Sequence, residues 1–255
     1  MTICLYGSPI STFARKVAIG LDLKGLPYDL VDALTPDRRE ELRKLNPRLE
    51  VPVLTDGDLL IVNSSDILQY LDWRYPDKPL YPEKIEARVV ARAFERLADQ
   101  RFDPIVVDCS YWSWADRDDK PPPGLLEAGQ RDIDTVFDRL EQMLGARPQP
   151  WPFQTPGVVE CAWFANLAAL RTFGLAIDPE RFPAVMNWFK AMRSHPVFAA
   201  DARRTGAFLK DLKHLTHERK RLFWSGDRLE WMLSRGFERW FMAEIDAGRA
   251  TFAPG

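Results

Sequence analysis

The chain has 255 residues, 46 % hydrophobic and 28 % charged, with 35 Lys+Arg against 37 Asp+Glu and a formal charge of −2. That composition excludes a mostly disordered chain, and the near-neutral balance lacks the basic excess of a dedicated nucleic-acid binder. The length holds one large domain or two small ones, each able to bury a core.

Thr2 to Tyr6 is a short apolar run with no basic segment before it, so no secretory signal is expected. Gly7, Ser8 and Pro9 break it. A helical pattern starts at Ser11, with Phe13, Val17 and Leu21 four apart, and stops at Gly25-Leu26-Pro27. Tyr28 to Val31 reads as a second strand and Pro36 to Leu45 as a charged helix. Val51 to Leu54, a turn at Asp56-Gly57, and Leu59 to Val62 read as a hairpin. Ser64 stands where it would cap a third helix carrying Ile67, Leu68 and Leu71 on one face. The order is βαβαββα.

Residues 77–84 close a proline-rich stretch with linker composition, and strand signals largely stop there. Helical patterns follow at roughly 85–115, 125–145, 157–174 and 183–194, separated by proline clusters. The predicted layout is 1–76 as an α/β domain, 77–84 as linker, 85–198 as an all-helical domain and 199–255 as a helical extension. Glu160, three residues after Gly157, can reach back to cap a helix.

Three cysteines at wide spacing, with no Cys-x-x-Cys, support neither a zinc site nor a dithiol motif. They suit a reducing compartment, so a cytoplasmic protein without metal is expected. No stretch reaches the roughly 20 apolar residues of a membrane span. His214, His217 and Glu218 lie close together but lack a further spaced ligand. The aromatic residues are unevenly placed: eight of the nine Trp, all but Trp73, follow residue 84. Between Arg203 and Arg221, seven basic residues stand against two acidic ones, a pattern that reads first as a solvated helical face. From 226 to 247, Leu229, Leu233, Phe237 and Trp240 to Phe241 recur at helical spacing. Such a helix needs cover: it folds back on the helical domain, lids a pocket or meets a second subunit.

Two local features carry chemistry. Ser11 begins a helix, where free N–H groups and the helix dipole favour an anion; it is equally placed to cap its own backbone. Pro52 opens a strand, and a cis Val51-Pro52 bond there would leave the groups of Val51 outside the ladder, open to an extended peptide.

Four motifs stand in order: Leu5-Tyr-Gly-Ser-Pro-Ile-Ser11-Thr-Phe-Ala-Arg-Lys-Val17, Leu45-Asn-Pro-Arg-Leu-Glu-Val-Pro-Val-Leu54, Asn63-Ser-Ser-Asp-Ile67, and Phe182 through Pro196. Together, over residues 3–198, they resemble the cytosolic glutathione transferase family. The first motif is similar to that of its plant phi-type and related serine-type members. The resemblance implies an α/β thioredoxin-like domain followed by an all-α helical domain, with glutathione as co-substrate, an apolar electrophile as second substrate, and a homodimer. Carried over by position, Ser11 would donate to the glutathione sulfur, with Thr12 and Phe13 beside it. Val51 and Pro52 would clamp the cysteinyl part, and Ser64, with Ser65 adjacent, would receive the γ-glutamyl carboxylate. Two positions depart from the pattern: Glu50 replaces a usual Lys or Gln near the glycyl carboxylate, and Asn63 replaces a usual acid near the γ-glutamyl amine. Arg48, Lys44 and Arg38 are candidate replacement cations. Tyr111, Trp112 and Trp114 would line the electrophile pocket, or pack the helical core. A serine at position 11 cannot form a mixed disulfide, which disfavours thiol-transfer chemistry. The alternatives are a non-catalytic binding or regulatory protein on the same fold, and a glutathione-dependent ether-cleaving or dehalogenating enzyme.

Overall fold

A computed structural model describes residues 3–114, 119–145, 150–212, 221–223 and 226–252. Its first elements are β1 (Ile3–Gly7), α1 (Thr12–Lys24), β2 (Tyr28–Asp32), α2 (Arg39–Leu45), β3 (Val53–Asp56), β4 (Leu59–Val62) and α3 (Ser64–Arg74). The four strands form one sheet in the order β2-β1-β3-β4. The β1–β2 pair is parallel, and the β1–β3 and β3–β4 pairs are antiparallel. This is the thioredoxin-like topology expected from the βαβαββα pattern.

β3 begins at Val53 rather than Val51, because Pro52 has no N–H to give a ladder. The hairpin loop is Gly57-Asp58, between the paired Asp56 and Leu59. Gly57 has φ 61°, the left-handed backbone that glycine adopts without strain. Helix α1 ends at Gly25 in the same region, φ 68°, whose N–H returns to the carbonyls of Leu21 and Asp22.

The helices continue as α4 (Ile85–Leu97), a π-helical turn at Ala98–Phe102, α5 (Asp103–Trp114), α6 (Leu125–Leu144), α7 (Val158–Ala169), α8 (Pro183–Ser194) and α9 (Pro196–Leu212). A short two-stranded pair, β5 (Arg221–Phe223) with β6 (Ala250–Phe252), encloses α10 (Gly226–Ser234) and α11 (Glu238–Asp246). No described helix is long and apolar enough to cross a membrane.

The chain divides into two compact units. The first comprises Met1–Glu95, Pro148–Ala165 and Trp188–Leu215. Its core joins Leu5, Val17, Ile19, Leu54, Ile67 and Leu71. Arg15 on α1 and Asp201 on α9 form a buried ion pair at 2.6 Å. The Trp163 indole donates to the Phe94 carbonyl at 3.0 Å and packs edge-on against Trp188. The Glu160 cap forms as its spacing predicts: the Gly157 N–H donates to Glu160 Oε2 at 2.7 Å.

The second unit comprises Arg96–Arg147, Asn166–Asn187 and Thr216–Gly255. Phe102, Phe137 and Phe182 pack ring against ring within it, tilted and edge-on rather than stacked. In the same unit, α10 and α11 pack on α5 and α6. The Trp231 indole donates to Asp132 on α6 at 2.8 Å, and Trp240 sits 5.1 Å from Trp112 on α5.

Candidate functional site

The sheet register gathers the predicted residues. Gly7, at the end of β1, pairs with Asp32, and Tyr6 beside it pairs with Val53, at the start of β3; Val53 pairs with Val62, at the end of β4. The turn leading to Ser11, the Val51-Pro52 segment and the Asn63-Ser64 segment therefore leave one end of the sheet together.

Ser11 is the N-cap of α1, with extended backbone, and its Oγ accepts the Ala14 N–H at 3.3 Å. A hydroxyl has one proton and two lone pairs, so a serine that caps through its oxygen still has a proton to donate. Capping and donation are therefore compatible in one residue. Thr12 and Phe13 form the first turn of α1 and are half-buried.

The Val51-Pro52 bond is cis. Val51 precedes the ladder and packs partly against the cluster of Ala33, Leu42, Leu49 and Val53. The loop before it is tied by Asn46: its Oδ1 accepts the Arg48 N–H at 3.2 Å, and its Nδ2 donates to the Glu50 carbonyl at 3.1 Å. Within that loop Arg48 Nη2 meets Glu50 Oε1 at 2.9 Å. The two candidate cations whose partners are visible differ in placement, since Arg38 is paired with Glu41 at 2.7 Å.

At α3 the structure corrects the expected cap. Asn63, not Ser64, is the N-cap; its Oδ1 accepts the Ser65 N–H at 3.2 Å. Asn63 has φ 74°, a region Asn tolerates better than most residues and Ser less readily. Ser64 is thereby the first helical residue, buried, with its hydroxyl outside the cap. Ser65 is engaged from the other side: its Oγ lies 3.0 Å from Lys16 Nζ and 2.8 Å from Glu95 Oε1. Sequence reasoning missed Lys16 and Glu95, which are almost fully buried.

In the second unit Tyr111 is buried, with ring contacts to Trp112 at 5.3 Å and Trp240 at 6.2 Å. Trp112 is half-buried. Trp114 closes α5, and its side chain lies outside the described residues, as do His214, His217, Glu218 and most of the basic run. Among the described residues no cluster of three His, Cys, Asp or Glu could hold a metal ion.

Two family profiles match the chain: "Glutathione S-transferase, N-terminal domain" over residues 5–79, and "Glutathione S-transferase, C-terminal domain" over residues 123–191. The chain belongs to the glutathione S-transferase family. A wheat (Triticum aestivum) glutathione S-transferase is 31 % identical over 141 residues, 55 % of this chain and 64 % of the relative. A stringent starvation protein A homolog of Coxiella burnetii is 37 % identical over 100 residues, 38 % of this chain and 47 % of that protein. The chain thus matches about half to two thirds of the length of these relatives. Among solved structures, maleylacetoacetate isomerase from Anaeromyxobacter dehalogenans superposes with a TM-score of 0.62 at 26 % identity, covering 80 % of this chain and 92 % of that one.

Proposed function

We propose that this chain is a serine-type glutathione transferase: it binds glutathione, holds the thiol as thiolate through Ser11, and adds it to an apolar electrophile. The observation that carries the reading is the convergence of Ser11, Val51 and Ser64 at one sheet end, two of them at helix N-termini. A free thiol ionises near pH ~8.5, and a hydrogen-bond donor beside a helix N-terminus lowers that value. The thiolate is the nucleophile, so stabilising it is the catalytic act. Thr12 and Phe13 supply first-turn N–H groups near the sulfur. The main-chain groups of Val51 pair with the cysteinyl residue, and Ser64 receives the γ-glutamyl carboxylate at the start of α3. Calorimetry at millimolar glutathione tests the binding step; a flat isotherm would end the reading.

Glu50 does not leave the glycyl carboxylate facing a bare negative charge, because Arg48 sits on it at 2.9 Å. Arg48 then supplies the missing cation. Its guanidinium is about half exposed, so its contribution is modest, about 1 kcal/mol or roughly a five-fold change in Kd. Arg48→Ala is expected to weaken glutathione by that factor and to leave γ-glutamylcysteine, which lacks the glycyl residue, unchanged in calorimetry.

The homodimer is assigned to the exposed face of α3 and α4. Trp73 is 69 %, Ile85 76 % and Val89 61 % exposed. Ile85 and Val89 lie one turn apart, and Arg92 on the same helix bonds Gln69 of α3, one turn before Trp73, at 2.7 Å. The two helices are thereby neighbours, and exposed apolar residues gathered on adjacent helices suit a partner surface. Val89→Glu is expected to shift the protein from dimer to monomer in analytical ultracentrifugation.

A non-catalytic binding role has two observations in its favour, the match to a stringent starvation protein A homolog and the altered positions Glu50 and Asn63. Turnover with an electrophile, if an assay finds it, would exclude that role. Ether cleavage or dehalogenation would use the same thiolate with a different leaving group.

A further inference from the structure

Lys16 on α1 and Glu95 on α4 are separated by most of the α/β half of the chain, yet they meet at 2.9 Å with side chains 1 % and 3 % exposed. The third apex is Ser65, 3.0 Å from the ammonium and 2.8 Å from the carboxylate. The second oxygen of Glu95 accepts from the buried Tyr81 hydroxyl at 3.4 Å. Both partners are therefore bonded as well as paired.

An ammonium already paired with a carboxylate has no lone pair to take a proton, so the arrangement does not make Ser65 a nucleophile. Nor does the Ser65 hydroxyl have a proton left to give a ligand carboxylate. Its hydroxyl donates to Glu95 and accepts from Lys16, and its N–H is held by Asn63 Oδ1 at 3.2 Å. Stability is a weak reason for the arrangement, because a buried ion pair replaced by packed apolar side chains is often no less stable. What the triangle does fix is the first turn of α3. Ser65 is tied on one side by the Asn63 cap and on the other by an ion pair reaching two other helices. The backbone turn that carries the buried Ser64 is thereby tied at its neighbour.

We propose that Lys16 and Glu95, acting through the Ser65 hydroxyl, are positioning residues that hold the first turn of α3 in the geometry that receives a ligand carboxylate. This rests on the reading above that Ser64 receives the γ-glutamyl carboxylate of glutathione.

The test compares Ser65→Ala, Ser65→Thr and the double variant Lys16→Met/Glu95→Leu by calorimetry, thermal melting and steady-state kinetics. The double variant exchanges the ion pair for apolar side chains but strands the Ser65 and Tyr81 hydroxyls, so it is expected to melt lower, and its binding is read well below that temperature. Ser65→Ala and the double variant are expected to raise the glutathione Kd and KM about five- to ten-fold, with kcat at saturation within about two-fold. Ser65→Thr keeps a hydroxyl and restores binding. The penalty disappears with 4-aminobutanoyl-Cys-Gly, which is glutathione without that carboxylate. Wild-type glutathione affinity in either folded variant overturns the proposal, as does an equal penalty with the analogue. Should the double variant not fold, Ser65→Ala decides alone. Absence of glutathione binding by the wild-type chain is a separate result: it removes the Ser64 reading, and this inference with it, before any variant is compared.

Discussion

Ser11→Ala is expected to lower kcat/KM for conjugation by about 10²- to 10³-fold, the cost of removing one preorganised donor aimed at a developing or stabilised anion. The variant also loses the helix cap, because Ser11 Oγ accepts the Ala14 N–H. Loss of a cap costs about 1 kcal/mol, far less than the catalytic deficit and visible separately as a lower melting temperature. The two effects part further with pH. With the donor gone, the pKa of the bound thiol rises toward its free value near ~8.5, so the rising limb of the pH–rate profile moves to higher pH and activity partly recovers in alkali. Ser11→Thr keeps both the capping oxygen and the proton, and is expected to retain most of the rate. Unchanged turnover in Ser11→Ala would remove Ser11 from the chemistry and leave it a cap only.

The sheet and its helices were legible because their signals are local. Gly25 with Pro27 ends α1, Pro52 delays β3 until Val53, and the hairpin loop begins at Gly57. The convergence of Ser11, Val51 and Ser64 followed from the order of elements once the register was known. What escaped notice was tertiary. No pattern around Lys16 announces a buried lysine, since its partner Glu95 comes from α4 and its burial depends on both helices. The exchange of cap from Ser64 to Asn63 depends on a positive φ, which sequence records only as a tolerance of Asn. The aromatic residues of the extension promised cover without saying where. Their position became definite through Trp231 on Asp132 and Trp240 on Trp112, pairs about a hundred residues or more apart in the chain. For Glu160, spacing gave the Gly157 bond but not the Trp188 indole that takes its other oxygen.

That second bond makes Glu160 the position with the largest expected effect on stability. The carboxyl is buried and accepts two donors, the Gly157 N–H at 2.7 Å and the Trp188 indole N–H at 2.8 Å. The backbone around it is crowded: the Val158 N–H bonds the Leu80 carbonyl at 3.0 Å, and a Cβ on Gly157 would collide with that same oxygen. Neither donor has room to turn to water. Glu160→Ala strands both, at about 1–3 kcal/mol each, a total of about 2–6 kcal/mol in chemical denaturation. Glu160→Gln keeps one carbonyl oxygen and so one bond, and is expected to lose about half of that at low pH. The pH dependence separates the charge from the hydrogen bonds. Burial pushes the Glu160 carboxyl up to about 7, from 4.5 for the free side chain. Between those values the folded chain holds a proton that the unfolded chain has released, so the native state binds more protons and stability falls as pH rises. The contribution is fully present below about pH 4.5, is lost through pH 7, and is constant above. Gln cannot titrate, so the deficit of Glu160→Gln should shrink as pH rises from 4.5 to 7. Parallel stability–pH curves for the wild type and Glu160→Gln would show that the carboxyl is ionised in the fold across that range, held there by its two donors.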